Sequence, residues 1–245
     1  TIHNLTVIAN YKINSINNLT MNDNQSELIK TARTAGIWYL IMAISGILGF
    51  LIFHPQIFDS EDAHKTLTNL IDLKSVARTR LLLEFAIIVS QALTAVWFYK
   101  LFRNINEWAA WSVGIWGMIN SVAIMISAIS MGSAIEIASS THTVEDKVLL
   151  IEILSSLITN AWGVGSLFFG LWLIPLGYIV TSSKRMPIWL GRILIIGGIG
   201  YLISAVVNYM GFVNPLLDYL TVPATVGEFW MIGYLLIFGI RPANE

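Results

Sequence analysis

Between Thr34 and the C-terminus the chain alternates six long apolar runs with short charged connectors. Thr34–Phe53 is twenty residues without a charge, and Trp108–Ile135, Ile153–Ser183 and Ile193–Leu217 are likewise uncharged. Leu81–Tyr99 carries only Glu84, and Tyr219–Ile240 only Glu228. A helix rises about 1.5 Å per residue, so about 20 apolar residues cross a hydrocarbon core of about 30 Å. The pattern predicts an all-α fold, a polytopic transmembrane helical bundle of six spans. The first long connector, after His54-Pro55 closes the first span, has its own period. Ala63, Leu67, Leu70 and Ile71 recur at i, i+4, i+7 and i+8 between polar residues. That spacing predicts an amphipathic interfacial helix between spans 1 and 2. It would act as a lid sealing the bundle or as a gate over a cavity.

Composition agrees with this pattern. The chain is 56% hydrophobic and 12% charged, against about 25% charged in a soluble domain. Residues 30–245 read as a single six-helix domain, behind a polar leader at 1–29. Thr1–Thr20 lacks the basic and apolar regions of a signal peptide, and one reading starts the native chain at Met21. The net charge of −1 excludes a nucleic-acid partner, which needs a basic footprint. The absence of cysteine excludes disulfides, thiol catalysis and thiolate-held metals. The expected partner is the lipid bilayer.

Connector charge predicts orientation. With the N-terminus inside, the cytoplasmic segments hold Lys12, Lys30, Arg33, Lys100, Arg103, Lys184, Arg185, Arg192 and Arg241. The outer segments hold Lys65, Lys74, Arg78, Arg80 and Lys147. The excess predicts a multi-pass protein of the cell membrane with both termini cytoplasmic. Tryptophans and tyrosines near the span ends, among them Trp97, Tyr99, Trp108, Trp111 and Trp189, form the interfacial belt. Trp116, Trp162 and Trp172 lie deeper.

Polar residues inside spans are costly in lipid, so each is a candidate for function. Arg80 and Glu84 stand one helical turn apart on one face, with Gln91 seven residues further along it. They form either a structural ion pair or the mouth of a polar cavity. Asn160 and Trp162, beside Gly163 and Gly165, make a polar patch near mid-span: a kink, a helix contact or a ligand seat. Glu228 faces the bundle if the last helix starts at Tyr219. It completes a capping box if the helix starts behind Thr225. Asn120 and Asn208 are expected to hydrogen-bond neighbouring helices. The ligand-binding candidates are therefore Arg80, Glu84, Gln91, Asn120, Asn160, Trp162 and Glu228. No catalytic residue, metal ligand or cofactor is predicted. The histidines fall outside the spans, there is no His-Glu-x-x-His zinc motif, and Gly163-Val164-Gly165 lies in an apolar run and not after a soluble strand.

Several stretches carry a family likeness: Lys30–Leu40, Ala63–Glu84, Tyr99–Asn106, Leu167–Leu171 with Gly177-Tyr178, Met186–Gly191, Gly197–Tyr201, Gly227-Glu228 and Phe238–Arg241. In these the chain resembles a prokaryotic multi-pass membrane family known only as a domain of unknown function. The resemblance implies a six-span bundle and no established activity. It also implies an Arg and a Glu near the start of the third span, where Ile115–Asn120 here carries no charge.

Three functions fit. One is binding or transport of a small or amphiphilic molecule in an intramembrane cavity. Another is a non-catalytic structural or accessory role. The third is an intramembrane enzyme with Glu84 or Glu228 as acid or base. Convergence of Glu84, Asn160 and Glu228 on one cavity would favour the first.

Overall fold

The computed structural model describes the backbone of residues 2–212 and 215–242, and the side chains of residues 24–212, 217 and 219–242. The reading of Thr1–Thr20 as a leader before Met21 falls on side chains outside the described residues. Helix α1 (Ile2–Gly46) continues through a π-helical stretch (Ile47–Phe53) into the short α2 (His54–Ile57). Then follow α3 (Ala63–Asp72), α4 (Lys74–Phe102), α5 (Glu107–Ala138), α6 (Val144–Ser183) and α7 (Ile188–Tyr209). A 3-10 turn (Pro215–Thr221) leads into α8 (Val222–Ile237). No strand occurs among the described residues.

Six helices are long and apolar enough to cross a membrane: Asn24–Ile57, Lys74–Phe102, Glu107–Ala138, Val144–Ser183, Ile188–Tyr209 and Tyr219–Ile237. The protein is a six-span helical membrane bundle. Local chemistry marks the helix ends. The side chains of Asp62, Asn106 and Thr143 accept the backbone N–H of Lys65, Ala109 and Asp146, each supplying an N-cap. Lys184, in the left-handed region at φ 56°, ends α6, and Pro187 precedes α7.

The six spans form a closed ring. Each packs on the next, α1 on α4, then α5, α6, α7 and α8, and α8 returns to α1. At its centre the rings of Tyr39 (α1), Phe98 (α4) and Trp172 (α6) meet with centroids 5.7–6.0 Å apart. Gly117 of α5 makes room for the indole, because a Cβ there would run into Trp172 and Ala95. Helices α6 and α7 approach closely. A Cβ on Gly177 would lie 2.5 Å from the Gly191 carbonyl oxygen, and one on Gly170 2.6 Å from that of Gly198. These glycines let two backbones touch, as small residues do in membrane interfaces.

At about 1.5 Å per residue, the 40 residues of α6 reach about 60 Å, well beyond a hydrocarbon core. Helix α3 packs against α4, α5 and α6. It buries Thr66, Leu67 and Leu70 beside Met131, Ile135 and Ile151. The predicted amphipathic helix is present, with one correction. Ile71 is 51% exposed, and Thr66 takes the buried place. Thr66 can be buried because its hydroxyl is satisfied, donating to the Asp59 and Asp62 carbonyls and accepting the Asp59 N–H. Nearby, Lys65 Nζ meets Asp59 Oδ2 at 2.9 Å. That hydrogen bond, with the Glu61 N–H, holds the Asp59 carboxyl below its ordinary value and raises Lys65.

Candidate functional site

The polar residues of the bundle gather in two places joined by Trp162. The first is a buried ion-pair network at the α3 end of the ring. Arg80 and Glu84 are both fully buried, and Arg80 grips the carboxylate with Nη1 at 3.0 Å and Nη2 at 3.3 Å. The i,i+4 spacing on α4 puts them on one face, and neighbouring helices supply the rest. Ser127 Oγ of α5 donates to Glu84 Oε1 at 2.5 Å. Trp162 Nε1 of α6 donates to the same oxygen at 3.3 Å and to Ser127 Oγ at 3.0 Å.

The first span completes the cage around the guanidinium. Phe50, His54 and Phe58 stand at i, i+4 and i+8, and their rings stack as a column, with centroids 5.6 and 4.8 Å apart. Arg80 lies over the Phe50 and Phe58 rings, 5.2 and 5.4 Å from their centroids, and donates its Nε–H to His54 Nδ1 at 3.1 Å. The unprotonated Nδ1 therefore faces Arg80. The π-helical stretch ends in this column: the His54 N–H reaches back to the Gly49 carbonyl. Such i→i+5 stretches are rare and re-aim the side chains that follow them. His54 was expected in a connector beyond the first span. Instead the helix runs on through Pro55 to Ile57, since proline is tolerated in a first helical turn.

The second place is a cavity of about 230 Å³ between α1, α4, α6, α7 and α8. Tyr39, Trp162, Phe169, Tyr201 and Phe229 give it an aromatic lining, and Glu228 is the charged residue in its wall. Tyr39 Oη donates to Glu228 Oε1 at 2.6 Å. Phe169 and Tyr201 stack with centroids 5.8 Å apart. Ile47 and Phe229, also in the lining, are 39% and 47% exposed, so the cavity reaches the lipid-facing surface of the ring. The capping-box reading of Glu228 does not hold. Helix α8 begins at Val222 behind Thr221, which leaves Thr225 and Glu228 inside it.

Trp162 belongs to both places. Its N–H serves Glu84 and Ser127, its ring lines the cavity, and Phe50 packs edge-on against it at 4.0 Å.

The remaining candidates lie elsewhere. Ser127 meets Glu84, Ser121 donates to the Ile88 carbonyl, and Gly117 faces Ala95. This antiparallel register sets Gln91 of α4 level with Asn120 of α5, two turns from Glu84. Both side chains are fully buried, and their amides find no hydrogen-bond partner among the described residues. The expected bond from Asn120 to a neighbouring helix is absent, although Gly165 of α6 leaves room for its Oδ1. Asn160 is exposed and bonds to Ser156 on its own helix and to Tyr209 Oη of α7. Gly163 makes room for that tyrosine. Among the described residues Asn208 reaches only Ser204, one turn back. Of Glu84, Asn160 and Glu228, Glu228 alone lines the cavity; Glu84 reaches it only through Trp162, and Asn160 lies elsewhere. Sequence reasoning missed Phe50, His54, Ser127, Tyr39 and Tyr201. The one local signal was the i, i+4, i+8 aromatic spacing from Phe50 to Phe58.

A family profile described as "Domain of unknown function (DUF4386)" matches residues 34–239. The chain belongs to this family. The matched DUF4386 region contains every residue of the ion-pair network and of the cavity, from Tyr39 to Ile232. It leaves out Lys30–Arg33 and Ile240-Arg241, which the sequence likeness had included. An uncharacterized protein of Archaeoglobus fulgidus is 24% identical over 148 residues, covering 60% of this chain and 78% of its own length. No solved structure matches.

Proposed function

We propose that this DUF4386 chain binds or transports a small amphiphilic molecule in its intramembrane cavity. The observation that carries the reading is the Glu228 carboxylate set in an aromatic-lined hollow that opens on the lipid-facing surface. A carboxylate within a span is costly in lipid, and such residues mark substrate or ion paths. A mostly apolar hollow with one convergent polar group is the usual form of a small-molecule site. The volume suits a compact ligand, since an engineered apolar cavity of about 150 Å³ takes up benzene. The Arg80–Glu84 pair, closed off by aromatic rings and with each guanidinium nitrogen and carboxylate oxygen hydrogen-bonded, fits a structural role that holds Trp162 in the cavity wall.

The basic connectors support placing the chain in the cell membrane with both termini cytoplasmic, and residues 30–245 act as one domain behind the 1–29 segment. Reporter fusions at the C-terminus and within Lys184–Arg192 should both read cytoplasmic, and an extracytoplasmic C-terminus would overturn that orientation.

A cavity-filling substitution tests the binding reading. A Cβ on Gly46 meets nothing within 4 Å, and Gly46 lines the hollow. Gly46→Phe should therefore fold normally in dodecyl maltoside and lose binding of alkyl amphiphiles that the unaltered chain retains. Equal binding by both would overturn the cavity as the site and leave the structural or accessory role.

A further inference from the structure

Resting on that reading, we infer that the cavity selects an organic ammonium group carried on an apolar tail. Three features of the wall converge on this chemistry. Among the described residues no Lys or Arg lines the hollow, so the protein supplies no counter-charge to Glu228 there. The one buried Lys or Arg among the described residues, Arg80, is already held bidentately by Glu84 on the far side of Trp162. Tyr39 donates to Oε1, which leaves Oε2 to meet a cationic guest.

The aromatic residues supply the second half of the recognition. A cation over an aromatic face is attracted by the ring quadrupole, more so when water is excluded, and cages of Trp and Tyr rings recognise alkylammonium groups on this basis. Trp162, Tyr201 and Phe169 bring such rings to the hollow that holds the carboxylate. A carboxylate-headed guest would meet like charge, and a neutral alcohol would leave Glu228 unneutralised. The exposed Ile47 and Phe229 at the opening give an apolar tail a path into the bilayer. The ammonium can belong to a free alkylamine or to an amine-headed phospholipid, since both present the same group.

Equilibrium dialysis of the full chain in dodecyl maltoside, corrected for empty micelles, tests this with hexylamine, hexanol and hexanoate at neutral pH. Hexylamine should bind about tenfold or more tightly than either of the others. Glu228→Gln, which keeps shape and removes charge, should erase that preference, and a preference retained in it would overturn the inference. If Glu228→Gln fails to fold, Phe169→Leu removes one aromatic face and should weaken hexylamine severalfold more than hexanol, while an equal loss for both would overturn the ammonium inference. Displacement of hexylamine by phosphatidylethanolamine and not by phosphatidylglycerol would assign the group to a lipid headgroup. Displacement by neither would assign it to a free amine. Equal binding of hexylamine and hexanol, both lost in Gly46→Phe, would overturn the ammonium inference and leave the cavity reading standing. Binding of none of the three would overturn both.

Discussion

Cutting the Arg80–Glu84 pair from either side should give unequal losses that do not add. Each residue is fully buried, and removing one partner of a buried ion pair costs about 3–5 kcal/mol, because the other charge is left uncompensated. The surroundings decide which side is worse. In Arg80→Ala, Glu84 Oε1 keeps the Ser127 hydroxyl and the Trp162 N–H, so the loss should fall near the lower end, about 3 kcal/mol. In Glu84→Ala the guanidinium, with five N–H donors, keeps one side-chain acceptor, His54 Nδ1, and two ring faces. That loss should approach about 5 kcal/mol. In the double variant no charge is stranded, and its destabilisation should fall short of the sum by about 2–3 kcal/mol, the coupling expected of residues in one network. The four proteins can be compared by reversible SDS titration in mixed micelles, with near-UV circular dichroism reporting the buried tryptophans. Additive losses, with coupling below about 0.5 kcal/mol, would refute the reasoning and place the two side chains in separate environments. A larger loss for Arg80→Ala than for Glu84→Ala would refute the assignment of spare donors.

Other parts of the bundle give further expectations. Gly177→Ala forces a methyl group against the Gly191 carbonyl and should cost about 1–3 kcal/mol by overpacking. Gly233→Ala, whose Cβ meets nothing within 4 Å, should be neutral or gain up to about 1 kcal/mol of helix propensity; the reverse order on thermal unfolding would refute the α6–α7 contact. Gln91→Met removes two amide atoms without a partner among the described residues. It should leave stability within about 1 kcal/mol of the unaltered chain or raise it, and a loss above about 2 kcal/mol would mean the amide is bonded. The Asp59 carboxyl is held below its ordinary value of 3.8, first by Lys65. A depressed carboxyl contributes stability above its unfolded value and loses it as the pH falls through the folded one. Hydrogen exchange in α3 should therefore quicken on acidification below about pH 3.8 in the unaltered chain, and by less in Asp59→Asn; equal pH profiles would refute the anchor.

Much of the bundle was legible because hydrophobic length is a local signal. Uncharged runs of twenty residues mark the spans, and Ala63, Leu67 and Leu70 mark α3 by their period. The Arg80–Glu84 pair was legible for the same reason, since one helical turn fixes their relation. The partners Ser127, Trp162 and His54 come from three other elements, and apart from the Phe50, His54, Phe58 spacing nothing in their neighbouring residues signals that meeting. Asn160 shows the limit from the other side. Its span is apolar all round, so no moment told its cavity face from its exposed face, and the structure turns it toward Tyr209. The close contact of α6 with α7 is not legible because Gly170/Gly177 and Gly191/Gly198 repeat at seven residues, outside the four-residue spacing of small residues that marks close helix contacts. At Glu228 the sequence allowed two helix starts with opposite consequences. The 3-10 turn ahead of Val222 settles the choice, and Glu228 lies within the helix and in the cavity wall.

Occupancy of the hollow beside Glu228 by an amphiphile separates a ligand site from a packing gap. Photolabelling the chain in dodecyl maltoside with a hexylamine bearing a diazirine next to its nitrogen, followed by peptide mass spectrometry, measures this. The labels should concentrate on the cavity residues Met42, Ala43 and Ile232, and an excess of unlabelled hexylamine should remove them. Labels spread evenly over outward-facing residues such as Leu51, Leu82 and Ile129, and unaffected by competition, would contradict the account.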